Sequence, residues 1–137
     1  MSVETRTDPE GSYRHVLRVG AHTVHADMAP PDGEGSAPGP HDYFDASLAA
    51  CKSLTAMWYA KRHKLALDRI EVKVDRDDSH EREGKYRLMV HIQLFGALSD
   101  EDKKKIHAAV ARCPIHKLMT TTEIEIETAP LTQDVTP

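Results

Sequence analysis

Aromatic side chains are scarce in this sequence: one tryptophan, two phenylalanines and four tyrosines make up 5% of its 137 residues. A core must therefore rest on Leu, Ile, Val, Met and Ala. Cysteine is scarcer still, with only Cys51 and Cys113. Two thiols cannot form the disulfide framework of a small secreted domain, and a chain of this length buries a core without staples. No apolar run approaches the roughly 20 residues of a membrane-spanning helix. The opening stretch "MSVETRTDPEGSYRHV" carries acids and no apolar core, unlike a secretory signal. The expected location is the cytoplasm, with no membrane partner. An excess of positive charge is also missing. The net charge of −4 gives no general attraction to nucleic acid, so no nucleic-acid partner is expected.

What is present describes one folded domain. Hydrophobic residues are 39% and charged residues 29%, the balance of a globular protein. The length fits a single domain over 1–137, with 1–10 and 129–137 as flexible tails. Residues 12–18 and 22–26 are short, partly alternating runs around Gly20 and predict a hairpin. "MAPPDGEGSAPGPHD", residues 28–42, holds four prolines and three glycines and predicts a long loop. Loops of this length in small domains are often functional.

Residues 43–64 predict a helix with Asp42 before it and Lys and Arg at its end, as the helix dipole favours. Phe44, Leu48, Cys51, Thr55 and Trp58 recur at spacings of 4, 3, 4 and 3 and form one helical face. Residues 69–75 and 85–95 alternate like half-buried strands across a charged turn. Ser99, three residues before Asp102, is a capping signal for a helix whose stripe is Ile106, Ala109, Val110 and Cys113. "EIEIET", residues 123–128, predicts a closing strand. The order β-β-α-β-β-α-β with amphipathic strands indicates an α+β fold with antiparallel sheets. Leu48, Leu54, Trp58, Leu88, Val90, Ile92, Ile106, Val110 and Leu118 are expected in the core or in a dimer interface.

The two cysteines lie 62 residues apart, each on a helical stripe. Helices packed stripe to stripe would bring them together. A thiolate can attack an electrophile and a second thiol can then resolve the product as a disulfide. Pro114 suits the first position of a new helix, which would put Cys113 at its N-cap. Against this stands a simpler role for both, as small buried hydrophobes. The nine histidines raise a metal reading, with Cys113 and His116 three apart, but no CxxC or HExxH pattern supports it. No metal and no bound cofactor are expected.

Three stretches then carry a resemblance. "GPHDYFDASLAACKSLTAMWYAKRHKLALDRIEVKV", "GALSDEDKKKIHAAVARCPIHKLM" and "HTVHAD" resemble the conserved blocks of the OsmC/Ohr family of osmotically inducible and organic-hydroperoxide-resistance proteins. The likeness spans residues 12–128, and "CPIHKLM" with "GPHDYF" is closest to its OsmC-like branch. It implies an intertwined homodimer, with antiparallel sheets wrapped around two central cysteine-bearing helices and a site at each end of the interface. It further implies a thiol-dependent peroxidase reducing organic hydroperoxides. By position, Cys51 would be the peroxidatic thiol and Cys113 the resolving thiol, recycled by an external lipoyl-type or other dithiol.

The sequence departs from the family at one position. Peroxidase members have a glutamate ten residues before the first cysteine; here His41 stands there, followed by Asp42. The family's N-terminal arginine has two candidates, Arg14 and Arg18. That arginine would hold the thiolate, and His41 or Asp42 would position either the arginine or the leaving oxygen, under the 28–42 loop as a lid. The departure admits an alternative, a non-enzymatic small-ligand-binding protein on the same fold.

Overall fold

A computed structural model describes residues 1–132. Three strands come first: β1 (Val3–Thr7), β2 (His15–Val19) and β3 (His22–Ala26). They pair antiparallel in the order β1-β2-β3, with Gly20 in the tight β2–β3 turn. The long helix α1 (Pro40–Arg62) follows, then β4 (Leu67–Asp77) and β5 (Arg87–Gly96) as a second antiparallel pair. α2 (Asp100–Ala111) and the short α3 (Pro114–Thr120) complete the regular structure. The α+β class and the two antiparallel sheets agree with the sequence pattern.

Two expectations change. Residues 3–7, expected inside a flexible tail, form β1 and bond to β2 in register Val3 with Val19. Their alternation was hidden because every residue of β1 is exposed and mostly polar. Residues 123–128, expected as a closing strand, pair with no strand among the described residues. Ile124 and Ile126 are 59% and 87% exposed there. Of the C-terminal segment expected to be flexible, residues 129–132 have no regular structure and residues 133–137 lie outside the described residues.

The core sits where α1 crosses α2 and the β4–β5 hairpin. Ala56, Ala60, Leu67, Ile106 and Val110 form it, with Ile70, Ile92 and Leu94 packed against them. The sheet faces the helix with one side of each strand, so Ile70, Val72 and Val74 alternate with exposed Glu71, Lys73 and Asp75. Gly96 closes the hairpin at φ 146°, where a Cβ would stand 2.0 Å from the Ala66 carbonyl oxygen. Only glycine fits.

The face of α1 that turns inward is not the one its apolar spacing suggested. Asp45, Leu48, Lys52, Ala56 and Ala60 are buried, whereas Leu54 and Trp58 are 70% and 61% exposed. Small residues at 56 and 60 let α2 approach, while the larger apolar residues lie on the opposite side. Of the expected core, Leu48, Ile106 and Val110 are buried and Leu88, Val90 and Ile92 half-buried. Leu54, Trp58 and Leu118 stand on the surface of the single chain. The N-terminal sheet likewise buries none of its strand residues.

The 28–39 loop is organised around Asp27, which is 4% exposed. Its carboxylate accepts from the Met28 and Ser36 amides and from the Ser36 hydroxyl at 2.7, 3.0 and 2.6 Å. These bonds, with the Ser36 hydroxyl foremost, hold its pKa below the ordinary carboxylate value. A depressed folded-state pKa contributes stability above the unfolded value of about 3.9, and that contribution is lost as pH falls through the folded value. The stability gap between wild type and Asp27→Asn should therefore narrow as pH falls from about 5 towards 2. Urea unfolding at a series of pH values measures it; a gap independent of pH would contradict the role given to the charge. Among the described residues, no helix is long and apolar enough to cross a membrane.

Candidate functional site

Gly39 caps α1 in an extended conformation, and Pro40 takes the first helical position, where a missing N–H costs nothing. The helix thus starts earlier than its sequence pattern suggested and absorbs His41 and Asp42. Asp42 accepts the Gly39 amide at 2.9 Å, tying its own first turn. From this start His41, Phe44 and Leu48 follow one another down one side of the helix. They form a wall of a cleft of about 970 Å³.

The other walls come from the β4–β5 connection and from α3. Glu81, Lys85 and Tyr86 line the connection side, Leu88 and Val90 the strand side, and His116, Met119 and Thr120 the α3 side. The floor is apolar and the rim carries the charges. His41 Nε2 lies 2.8 Å from Glu81 Oε1 at that rim. Tyr86 meets Phe44 edge to face at 5.6 Å. Of the 28–42 loop expected as a lid, only Pro40 and His41 reach the cleft.

A clamp of charged groups fixes the wall. Arg76 Nε donates to Asp45 Oδ2 and Arg76 Nη2 donates to Asp42 Oδ1, both at 2.6 Å. The Tyr86 hydroxyl donates to the other Asp45 oxygen at 2.7 Å. Burial, reinforced by Asp45, pushes the Tyr86 hydroxyl up to about 12, so it stays a donor near neutrality. The Gly39 amide and Arg76 hold Asp42 below the usual carboxylate range. Tyr86→Phe removes one hydrogen bond to a charged acceptor and should cost about 1.5–3 kcal/mol in chemical unfolding. A change under about 0.5 kcal/mol would show that the bond adds nothing.

The predicted site residues do not gather as one constellation within the chain. Cys51 is half-buried, one helical turn beyond Leu48, with Thr55 Oγ1 3.9 Å from its sulfur. Cys113 is fully buried at the N-cap of α3, the position its proline predicted, and its sulfur makes no capping hydrogen bond. Arg14 is committed elsewhere: its Nε donates to Asp8 at 3.1 Å and its Nη1 donates to the Ser36 hydroxyl at 2.9 Å. Arg18 is exposed on β2. Asp42 does grip an arginine, but it is Arg76, on the side of α1 away from Cys51. The expected arrangement of Arg14 or Arg18, set by His41 or Asp42 beside Cys51, is not formed within one chain.

Four residues entered the site without a sequence signal strong enough to find them. Glu81 comes from a turn that reads only as charged, and Tyr86 from the start of a run, residues 85–95, that reads only as a half-buried strand. Lys52, placed off the apolar stripe by its charge, is 3% exposed. Its Nζ donates to the Val110 carbonyl at 3.0 Å and contacts His116 Nδ1 at 3.3 Å. His116 had drawn attention only as a possible metal partner of Cys113. Among the described residues, no three His, Cys, Asp or Glu side chains gather in a way that could hold a metal ion.

Solved structures share this fold. A Psychrobacter arcticus protein, described as an osmotic stress induced and detoxification response protein, superposes with a TM-score of 0.73 at 16% identity, covering 88% of this chain and 89% of its own. An OsmC-like protein of Mycoplasma pneumoniae gives 0.72 at 18% identity, with 88% and 86% covered. An organic hydroperoxide resistance protein of Bacillus subtilis gives 0.58 at 20% identity, with 88% and 90% covered. No curated protein matches in sequence. The model of the family described as OsmC-like protein matches residues 33–129, which hold α1, the cleft and both cysteines. By that match over most of its length, and with the fold in agreement, the chain belongs to the OsmC-like protein family.

Proposed function

We propose that the protein is a thiol-dependent peroxidase that reduces organic hydroperoxides through Cys51 and Cys113. The observation that carries the reading is the unequal exposure of the two thiols. Cys51 is half-buried one helical turn beyond Leu48 of the cleft wall, whereas Cys113 is fully enclosed. An incoming peroxide can meet only the first, and the second is sheltered until an intermediate forms inside the protein.

The chemistry follows from that order. The Cys51 thiolate attacks the outer peroxide oxygen; the O–O bond breaks, and the alkoxide leaves and takes a proton. Cys51 becomes a sulfenic acid, which condenses with the Cys113 thiol, releasing water and forming a disulfide. An external dithiol of lipoyl type then exchanges with the disulfide and carries away the two electrons. Phe44, Leu48, Leu88, Val90 and Met119 suit an apolar alkyl group. Several relatives of this fold, including those from Legionella pneumophila and Bacillus subtilis, carry the name organic hydroperoxide resistance protein.

The working form is a homodimer in the cytoplasm. Leu54 and Trp58 lie on the solvent side of α1 next to Cys51, the N-terminal sheet buries none of its strand residues, and the alternating 123–128 segment has no strand partner among the described residues. A second copy covering these surfaces would bring its own groups to Cys51.

A second reading is a binding protein that holds a small apolar ligand in the cleft without chemistry. The engagement of Arg14 with Asp8 and Ser36 favours it. Two measurements separate the readings: consumption of cumene hydroperoxide with a dithiol reductant, and the pH dependence of Cys51 alkylation. Turnover with a thiol that alkylates rapidly below pH 7 supports the peroxidase. No turnover and an ordinary thiol near pH 8.5 support the binding protein.

A further inference from the structure

Lys52 is an ammonium group withdrawn from water without a counter-charge. It is 3% exposed, and among the described residues no carboxylate oxygen lies within 4 Å of its nitrogen. A buried charge in this position normally pairs with an opposite one. Lys52 has two neutral acceptors instead: the Val110 carbonyl oxygen at 3.0 Å and His116 Nδ1 at 3.3 Å.

The second contact fixes a tautomer. An ammonium has three donors and no acceptor, so Lys52 donates and His116 Nδ1 carries no hydrogen. The ring proton then sits on Nε2. His116 lines the cleft beside Leu48 on the facing helix, and Cys51 is one turn further along α1. The hydrogen-bonded line therefore runs from a buried proton source to an imidazole that lines the cleft.

We infer that Lys52 and His116 form a proton relay for the leaving group of the reaction. This rests on the peroxidase reading above. When the Cys51 thiolate takes the outer oxygen, the departing alkoxide accepts the Nε2 proton of His116. His116 Nδ1 takes a proton from Lys52 in the same step, so the imidazole stays neutral and Lys52 becomes an amine. A solvent proton taken up at His116 Nε2 then returns the Nδ1 proton to Lys52, which restores both groups before the next turnover. His116 is the catalytic residue and Lys52 its positioning and supplying partner. An alkoxide is a poor leaving group when unprotonated, and this is the point at which a general acid contributes most.

The test compares two classes of peroxide that differ in their need for a proton. Cumene hydroperoxide releases an alkoxide, whereas peracetic acid releases acetate, which leaves unprotonated. His116→Gln keeps an acceptor for Lys52 and a donor for the cleft but cannot pass a proton. It should lower the rate ratio of cumene hydroperoxide to peracetic acid about a hundredfold. Lys52→Met should shift the ratio in the same direction. Should Lys52→Met fail to fold, His116→Gln decides alone, because its side chain lies at the surface. Equal slowing of both peroxides, or no change in either, would overturn the relay. Nitrogen-15 NMR gives a readout apart from activity: wild-type His116 should show a bare Nδ1 and a protonated Nε2. A protonated Nδ1 overturns the proposal. Wild-type protein that consumes neither peroxide, or Cys51→Ser that consumes both as fast, removes the peroxidase reading and the relay's chemistry with it.

Discussion

Cys51→Ser should reduce peroxide consumption to the uncatalysed background, while Cys113→Ser should complete one turnover and then stop. The difference follows from where the sulfurs lie. A serine hydroxyl is a far weaker nucleophile than a thiolate towards a peroxide oxygen, and Cys113 cannot take over because it is fully buried. Cys113→Ser leaves the first attack intact, so one equivalent of alcohol should appear per site. The sulfenic acid then has no thiol to meet, and a sulfenic-acid trap such as dimedone should label Cys51 in that variant alone. Excess peroxide should drive the same sulfur on to the sulfinic acid. Burst amplitude and intact mass measure all of this. Activity in Cys51→Ser close to wild type would end the mechanism, and full turnover in Cys113→Ser would remove the resolving role.

Trp58→Asp should raise the dissociation constant of the proposed homodimer by about thirtyfold or more, and Leu54→Asp should act in the same direction. The two side chains are one turn apart on the outer face of α1, 61% and 70% exposed, with the Arg62 guanidinium 5.4 Å from the Trp58 ring centre. Large aromatic anchors at the centre of an interface typically carry 2 kcal/mol or more, which corresponds to about thirtyfold in affinity. In an isolated chain the same changes touch no core and should alter stability by less than about 0.5 kcal/mol. Sedimentation equilibrium separates the outcomes. A wild-type monomer at micromolar concentration, or a dimer indifferent to both substitutions, would place the interface elsewhere or remove it. Because Cys51 shares this side of the helix, loss of the dimer should also lower peroxidase activity.

Trp58 illustrates how far periodicity reaches. Apolar spacing identified a helix correctly and gave it an apolar stripe, but a stripe does not say what covers it. α1 carries apolar residues on two sides. One is packed by α2 and the hairpin through Leu48, Ala56 and Ala60, and the other carries Leu54 and Trp58 in the open. The buried side was the less conspicuous because its contacts rest on alanines and on Lys52, whose charge reads as surface. Residues 123–128 have the same ambiguity. Alternation marks a segment suited to pairing but does not supply the partner.

The turn chemistry was more informative, because its causes are local. Ser99 accepts the Asp102 amide at 3.1 Å, as a cap should. Pro114 starts α3 and leaves Cys113 at the seam, since proline cannot continue α2 but fits a first turn. The hairpin of β4 and β5 follows its strict alternation, with Val72 opposite Ile92 and Val74 opposite Val90. These features depend on residues a few positions apart.

The sequence by itself thus determined the α+β class, the order of most elements and the family. Each of these is written in short-range spacing or in local motifs. Only the tertiary structure decided that Cys51 meets solvent and Cys113 does not, that Arg14 serves the Asp27 loop, that Asp42 grips Arg76, and that Lys52 is buried against His116. Those facts depend on which groups end within about 3 Å of one another after distant segments pack. Lys52 and His116 are 64 residues apart, and no local pattern could have paired them.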